Sequence, residues 1–357
     1  MFPYFLLIGI PIVYSLIVNL INIEKRKRQK GIIISFFVSW IILLSLRDKS
    51  VGADITNYLI HFQKVTKTSW GNLFEINEME YGYQILCKLI SYLTSNSQVF
   101  LFIIAILSLL PICYLFCREA KNALLAITLF ITYLFTMYFS GLRQVLAMSC
   151  FVPAYYFTKE KKFFKFLLMV FLATTFHSSS FIICLFYPIY HFKLTKIRAL
   201  FVTLIVLIIF VFNEQIFSFL VRSMGGRYEE RYGIITTTGA YRMQLLIFIF
   251  LIYAFIVPQK NKLDKDTVGL RNVLILSFVL QSFAAINPVA MRMNYYFLIF
   301  LPILIAKIPT LCREKDKKIA DFSIFVMITF FIFYFFYVAY TGIDMLQIFP
   351  YIPFWEG

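Results

Sequence analysis

Three arginines and three proton acceptors stand out by position. Arg47 directly follows a long apolar run, Arg143 lies in the turn Gly141-Leu142-Arg143-Gln144 between two such runs, and Arg292 lies in Met291-Arg292-Met293-Asn294 between two others. Asp54 and Glu80 fall in the polar stretch after Arg47, and His177 opens the turn His177-Ser178-Ser179-Ser180. A guanidinium is a planar fork that fits phosphate oxygens. A carboxylate or an imidazole takes a proton from an attacking hydroxyl. These types together suit transfer of a group away from a phosphate or diphosphate. Each also has an ordinary reading: an arginine at a helix end snorkels to lipid headgroups, and a lone histidine is more often a hydrogen-bonded structural group.

The elements that must position them are membrane helices. The chain has 357 residues, 61% of them hydrophobic, with a mean hydropathy of +0.81, far above an ordinary soluble domain. Twelve apolar runs match the thickness of a bilayer core, near residues 2–22, 31–46, 98–117, 122–140, 143–158, 163–176, 178–190, 199–220, 243–258, 272–290, 294–307 and 320–340. The first has no basic flank or small-residue cleavage site and reads as a span rather than a signal peptide. The expectation is an all-α integral membrane protein, a single polytopic domain over residues 1–357 with about twelve spans.

Charge orients it. The net charge is +16, but the basic residues sit in short connectors and gather in no single patch, so nucleic acid is not the partner. Every second connector is basic, and that set holds 23 of the 34 lysines and arginines, which marks it as cytoplasmic. Both termini and two sizeable loops, 47–97 and 221–242, are then external. In the first, Gln84, Lys88 and Ser91 share one helical face over Tyr83 to Leu93, and Leu86, Leu89, Ile90 and Leu93 the other, as in a helix lying along the membrane surface. Arg143 and Arg292 sit in short outer turns where the charge rule disfavours cations. A shared anion pocket compensates for that, and a lipid-linked phosphate or diphosphate is the ligand it suits best.

Other chemistries lack their signatures. The six cysteines form no CxxC pair, so neither a disulfide nor a zinc site is expected. Three scattered histidines give no metal spacing, and no GxSxG elbow, Walker loop or GxGxxG turn is present. No cofactor is implied. The outer segment Tyr228-Glu229-Glu230-Arg231-Tyr232 mixes rings with carboxylates, as a sugar-binding or a plainly solvated loop does.

The order of the motifs resembles the EpsG-like polysaccharide polymerases: Arg47, Gly52-Ala53-Asp54 with Tyr58 and Phe62, Glu80-Tyr81-Gly82-Tyr83, Gly141-Leu142-Arg143-Gln144 with Ala147, and Phe176-His177-Ser178-Ser179. Arg292 with Asn294 and Tyr295, and Pro350-Tyr351, also fit. The resemblance covers residues 40–190 and, more loosely, the last sixty. It implies a Wzy-type O-antigen or capsule polymerase of the bacterial inner membrane, joining oligosaccharide repeat units carried on undecaprenyl diphosphate at the outer face. On that reading Arg47, Arg143, Gln144, Arg292 and Tyr58 contact the diphosphate or its sugar, and the base is Asp54 or His177, with Glu80 behind them. The lipid-linked oligosaccharide and the bilayer are its partners, with a chain-length regulator and a flippase as candidates. An O-antigen ligase, a GT-C type polyprenyl-phosphate-dependent glycosyltransferase, a flippase and a non-enzymatic scaffold are the alternatives.

Overall fold

The computed structural model describes residues 2–21, 23–76, 79–224, 241–341 and 347–357. Among these the chain is helical and forms no strand. It divides into two compact units, Met1–Phe181 with Lys317–Gly357, and Ile182–Asp316. Among the described residues five helices are long and apolar enough to cross a bilayer, Lys25–Ser45, Ser97–Glu119, Ala123–Ser140, Lys265–Ala284 and Glu314–Thr341, or up to seven spans if two bent pairs each count as one. Twelve apolar runs therefore give fewer full-length crossings. A helix such as Phe163–Phe176 has 14 residues and at about 1.5 Å per residue falls short of a hydrocarbon core of about 30 Å.

In the first unit, α1 (Phe2–Leu20), α2 (Lys25–Ser45), α5 (Ser97–Glu119), α6 (Ala123–Ser140), α7 (Leu142–Lys159), α8 (Phe163–Phe176) and the last helix, Lys317–Thr341, are the apolar elements. Two begin on asparagine caps: the Asn96 side chain accepts from the amides of Gln98 and Val99, and that of Asn122 from Leu125. This satisfies amides that a helix start leaves without partners. Between α2 and α5 the polar stretch folds into α3 (Ile55–Lys67) and α4 (Tyr81–Ser91). A buried cluster including Tyr58, Phe62, Tyr83, Cys87, Phe100, Ile104, Leu142 and Leu146 clamps this pair onto α5 and α7, with the Phe62 and Phe100 rings stacked at 4.1 Å.

The helix foreseen over Tyr83 to Leu93 is α4, and it turns Gln84, Lys88 and Ile90 inward. Gln84 and Lys88 are buried while Ile85, Leu89 and Leu93 are exposed. The reason is local: the Lys88 ammonium donates to the carbonyls of Thr68, at 2.6 Å, and Val65, at 3.4 Å. A cation there satisfies the last carbonyls of α3 and meets the negative end of its dipole.

The second unit holds the two bent pairs. Lys196–Val211 and Asn213–Ser223 meet at 81°, where one continuous span was expected over 199–220, and Ala290–Leu298 meets Leu301–Leu311 at 41°. Pro302, at the start of Leu301–Lys307, lacks the amide an unbroken helix needs. Its buried polar groups pair among themselves: the Ser277 hydroxyl donates to Asn294 Oδ1 at 2.7 Å and Asn294 Nδ2 to Gln281 Oε1 at 2.9 Å.

Gly52 has φ +110, and a Cβ there would overlap the Phe139 carbonyl oxygen. Gly52→Ala is expected to lower stability by at least about 1–3 kcal/mol from backbone strain alone. Thermal melting of the purified protein in detergent checks it, and an unchanged midpoint would show that the contact relaxes freely.

Candidate active site

The α6–α7 junction is abrupt: α6 ends at Ser140, Gly141 serves both helices as a cap residue, and α7 begins at Leu142. Arg143 is therefore in the first turn of α7 and projects from the end of the bundle. Its guanidinium forms a charge-assisted hydrogen bond with Glu80 Oε2. Its Nε donates to the Tyr58 hydroxyl at 3.4 Å, and the guanidinium carbon lies 5.8 Å from the centre of the Tyr58 ring. Tyr58, on α3, packs edge-on against Tyr83 of α4 at 5.6 Å.

Glu80 is the residue before α4, in an extended conformation. Its second oxygen, Oε1, accepts from the Ser178 amide at 3.1 Å and lies 3.1 Å from His177 Nδ1. His177 ends α8. The approach of α4 to α8 depends on Gly82, because a Cβ there would overlap the Thr175 hydroxyl and stand 2.8 Å from the Thr175 carbonyl oxygen. One carboxylate thus joins α4, α7 and α8, with α3 alongside.

Burial alone would raise the Glu80 pKa. The hydrogen bond from His177, the charges of Arg143 and His177 and the Ser178 amide outweigh it and hold the group down at about 2. Glu80 is then an anion at neutral pH and an acceptor only. It fixes the histidine tautomer: Nδ1 carries the proton, and in the neutral ring Nε2 keeps its lone pair. Burial likewise raises the pKa of Tyr58, against the opposing charge of Arg143. The side chains of Arg143, His177 and Glu80 are 27%, 21% and 18% exposed, so the cluster is open to a ligand. A cation beside an oriented imidazole can hold an anionic leaving group and accept a proton.

The remaining expected residues fall elsewhere. Asp54 is the residue before α3, one turn before Tyr58, and it pairs with Ser140: its amide donates to the Ser140 hydroxyl, which in turn donates to Asp54 Oδ2, both at 3.2 Å. Arg47, expected among the diphosphate contacts, is 1% exposed and is not brought into the cluster. Its guanidinium donates to the Phe139 carbonyl and stacks on the Phe139 ring at 5.3 Å. The C-terminal segment covers it, through Asp48 N to Ile352 O and Phe354 N to Leu46 O, each 2.8 Å. Burial draws the Arg47 pKa down to about 9, with Tyr351 and Tyr4 opposing. Gln144 is buried on α7. Arg292 is exposed on the helix Pro288–Leu298 of the second unit. The segment Tyr228 to Tyr232 lies outside the described residues. Among the described residues no group of three or more His, Cys, Asp or Glu is arranged to hold a metal. Sequence reasoning assigned no part to Ser140, Gly82 or the Ser178 amide; the only signal was that each adjoins a charged or turn residue already singled out.

The depressed Glu80 pKa has a pH consequence. A folded-state value below the usual 4.5 stabilises the protein fully above that pH, and the stabilisation is lost as pH falls toward about 2. Glu80→Gln is expected to melt earlier than wild type at pH 7, with the two curves converging over that acid range. Parallel melting curves at every pH would show that Glu80 contributes no charge-dependent stability.

No curated protein and no solved structure matches the chain. The model of the EpsG family matches residues 30–352, nearly the full length, and takes in most of α2, all of α3 to α8 and every residue of the Glu80 cluster. The chain carries helices apolar enough to cross a membrane, and it belongs to the EpsG family of Wzy-like polymerases.

Proposed function

We propose that this protein is a glycosyltransferase that joins lipid-diphosphate-linked oligosaccharide repeat units into an O-antigen or capsular polysaccharide at the outer face of the bacterial inner membrane. The observation that carries this reading is the carboxylate of Glu80 holding Arg143 and His177 together in a partly exposed cluster. The donor sugar's anomeric bond to the diphosphate breaks and a bond forms from that carbon to an acceptor hydroxyl. His177 Nε2 takes the hydroxyl proton. Arg143 faces the departing diphosphate, whose charge grows as it leaves with the bonding electrons. Energy comes from the glycosyl diphosphate bond, so no nucleotide is required.

Glu80 is here the group that orients the base, as a carboxylate orients the imidazole of a catalytic triad. Asp54 remains the competing base, one turn from Tyr58. Tyr58 is assigned to the sugar beside Arg143, while Arg47, enclosed and bonded to the Phe139 carbonyl, supports the α6–α7 junction that carries Arg143. The twelve apolar runs cross or enter the bilayer with both termini outside. A chain-length regulator and a flippase are the partners this activity calls for.

Two experiments test the reading. Arg143→Lys keeps the charge and loses the fork, and it is expected to slow chain growth on the order of a hundredfold, as loss of a single stabilising donor does elsewhere. His177→Ala should leave surface chains of one repeat unit on a gel, whereas Asp54→Asn should still give a ladder. The reverse pattern makes Asp54 the base, and long chains from both Arg143→Lys and His177→Ala would remove the cluster from the mechanism. For orientation, a cysteine placed at Asn57 in a cysteine-free background should react with an impermeant thiol reagent on intact spheroplasts. Failure to label it would overturn the outward assignment.

A further inference from the structure

A groove of about 530 Å³ runs along α3 on the face turned away from Tyr58, and Lys49, Lys64 and Lys67 line it. Thr56, Ile60, Lys64 and Lys67 are spaced at helical intervals and all are exposed, while Tyr58 on the other face is buried. One helix therefore separates the groove from the Glu80 cluster. The groove has the size of a small-ligand site, and among the described residues no carboxylate lines it.

Its level is set by the membrane helices. Lys49 follows the end of α2 by four residues, and Ser97 is the first residue of α5. The two ends meet, since Gln98 Nε2 donates to the Arg47 carbonyl at 3.3 Å. Gln63 ties α3 to the same place, donating to Ser95 O at 2.9 Å and to the Ser97 hydroxyl at 3.4 Å. The lysines consequently stand beside the ends of two helices long and apolar enough to span a bilayer. Leu59 and Ile60 form the apolar part of the groove wall.

We propose that this groove binds the phosphate of a membrane lipid, with Lys49, Lys64 and Lys67 around the headgroup. A lysine ammonium is a compact charge on a flexible stem and suits a phosphate presented at variable height. The apolar wall of Leu59 and Ile60 and the position at two span ends favour a lipid over a soluble anion, because a free sugar acid gains nothing from an apolar wall. The phosphate comes from an anionic phospholipid or from a polyprenyl diphosphate, and both share this chemistry. The site is independent of the polymerase reading, since it requires no reaction.

The full-length protein in phosphatidylcholine nanodiscs is titrated with phosphatidylglycerol or with undecaprenyl diphosphate, and retained lipid is counted by native mass spectrometry. Wild type is expected to retain anionic lipid. The triple variant Lys49→Gln, Lys64→Gln, Lys67→Gln should bind it about a hundredfold more weakly, at the usual worth of a basic residue near an anionic headgroup, and the corresponding arginine triple should recover it. Equal retention of both lipids identifies a boundary phospholipid site; retention of undecaprenyl diphosphate alone identifies a site for a polyprenyl carrier. Where the triple variant melts early, the three single variants are read instead. Lipid retention unchanged by the glutamine variants overturns the proposal, and so does lysine-dependent binding of a soluble acidic oligosaccharide without lipid retention. The counts need no catalysis, so loss of chain growth in His177→Ala with intact lipid retention separates the two readings.

Discussion

A carboxylate withdrawn from water must find compensation or give up its charge. Glu80 meets that constraint with a guanidinium, an imidazole and a backbone amide taken from α7, α8 and the turn after α8. The ends of α4, α7 and α8 cannot then move independently, since separating any one leaves a partly buried ion without a partner. Such a loss costs more than the intact pair contributes, because the remaining charge keeps its desolvation penalty. The same arrangement sets the chemistry, for an anion that accepts from Nδ1 leaves Nε2 as the basic nitrogen of His177.

The polar stretch after α2 holds this cluster from the opposite side. Arg47 and Gly52 both close on Phe139, the first by a hydrogen bond to its carbonyl and the second by an approach that no Cβ allows. Asp54 pairs with Ser140, the next residue. Arg143 follows three residues later, so its placement rests on a turn held at consecutive positions. The C-terminal segment lies over Arg47 and completes the packing, with the Tyr351 hydroxyl donating to the Leu43 carbonyl at 2.8 Å and Tyr4 to the Ile348 carbonyl. Two arginines of one type thus do different work. Arg47 is enclosed and gives its hydrogen bond to backbone, whereas Arg143 stays part-exposed and pairs with an acid.

The second unit handles its polar groups by the same physics. Lys307, largely buried, takes both oxygens of Asp264 at 3.0 and 2.7 Å and has Asp266 at 3.6 Å. Arg271 donates to the Ala254 carbonyl, and Asn272 donates to the carbonyls of Ile189 and Phe192 at 3.1 and 2.7 Å. These contacts tie loop ends to helices where backbone carbonyls lack partners. A bare cation there would be costly.

Hydropathy along the chain was enough to locate most of the helices, because burying an apolar run in lipid requires the run to be helical. The runs at 98–117 and 122–140 became Ser97–Glu119 and Ala123–Ser140, each starting where an asparagine caps it. The residue types of the site were legible as well, since ionisable groups at helix ends are expensive and therefore conspicuous. What one dimension could not supply was partnership. Glu80 stands 63 residues from Arg143 and 97 from His177, and nothing local distinguishes it from Asp54, which ranked above it as a base and pairs instead with Ser140. Arg47 and Arg143 read alike as helix-end arginines; enclosure by the C-terminal segment, more than three hundred residues from Leu43, separates them. The 81° break after Val211 was equally hidden, because the apolar pattern continues through it. The sequence by itself determined which segments are apolar and helical and which side chains carry charge, through energies local to each residue. Only the tertiary structure decided which charges meet and which stay open to a ligand, because pairing and burial depend on distances that chain position does not encode.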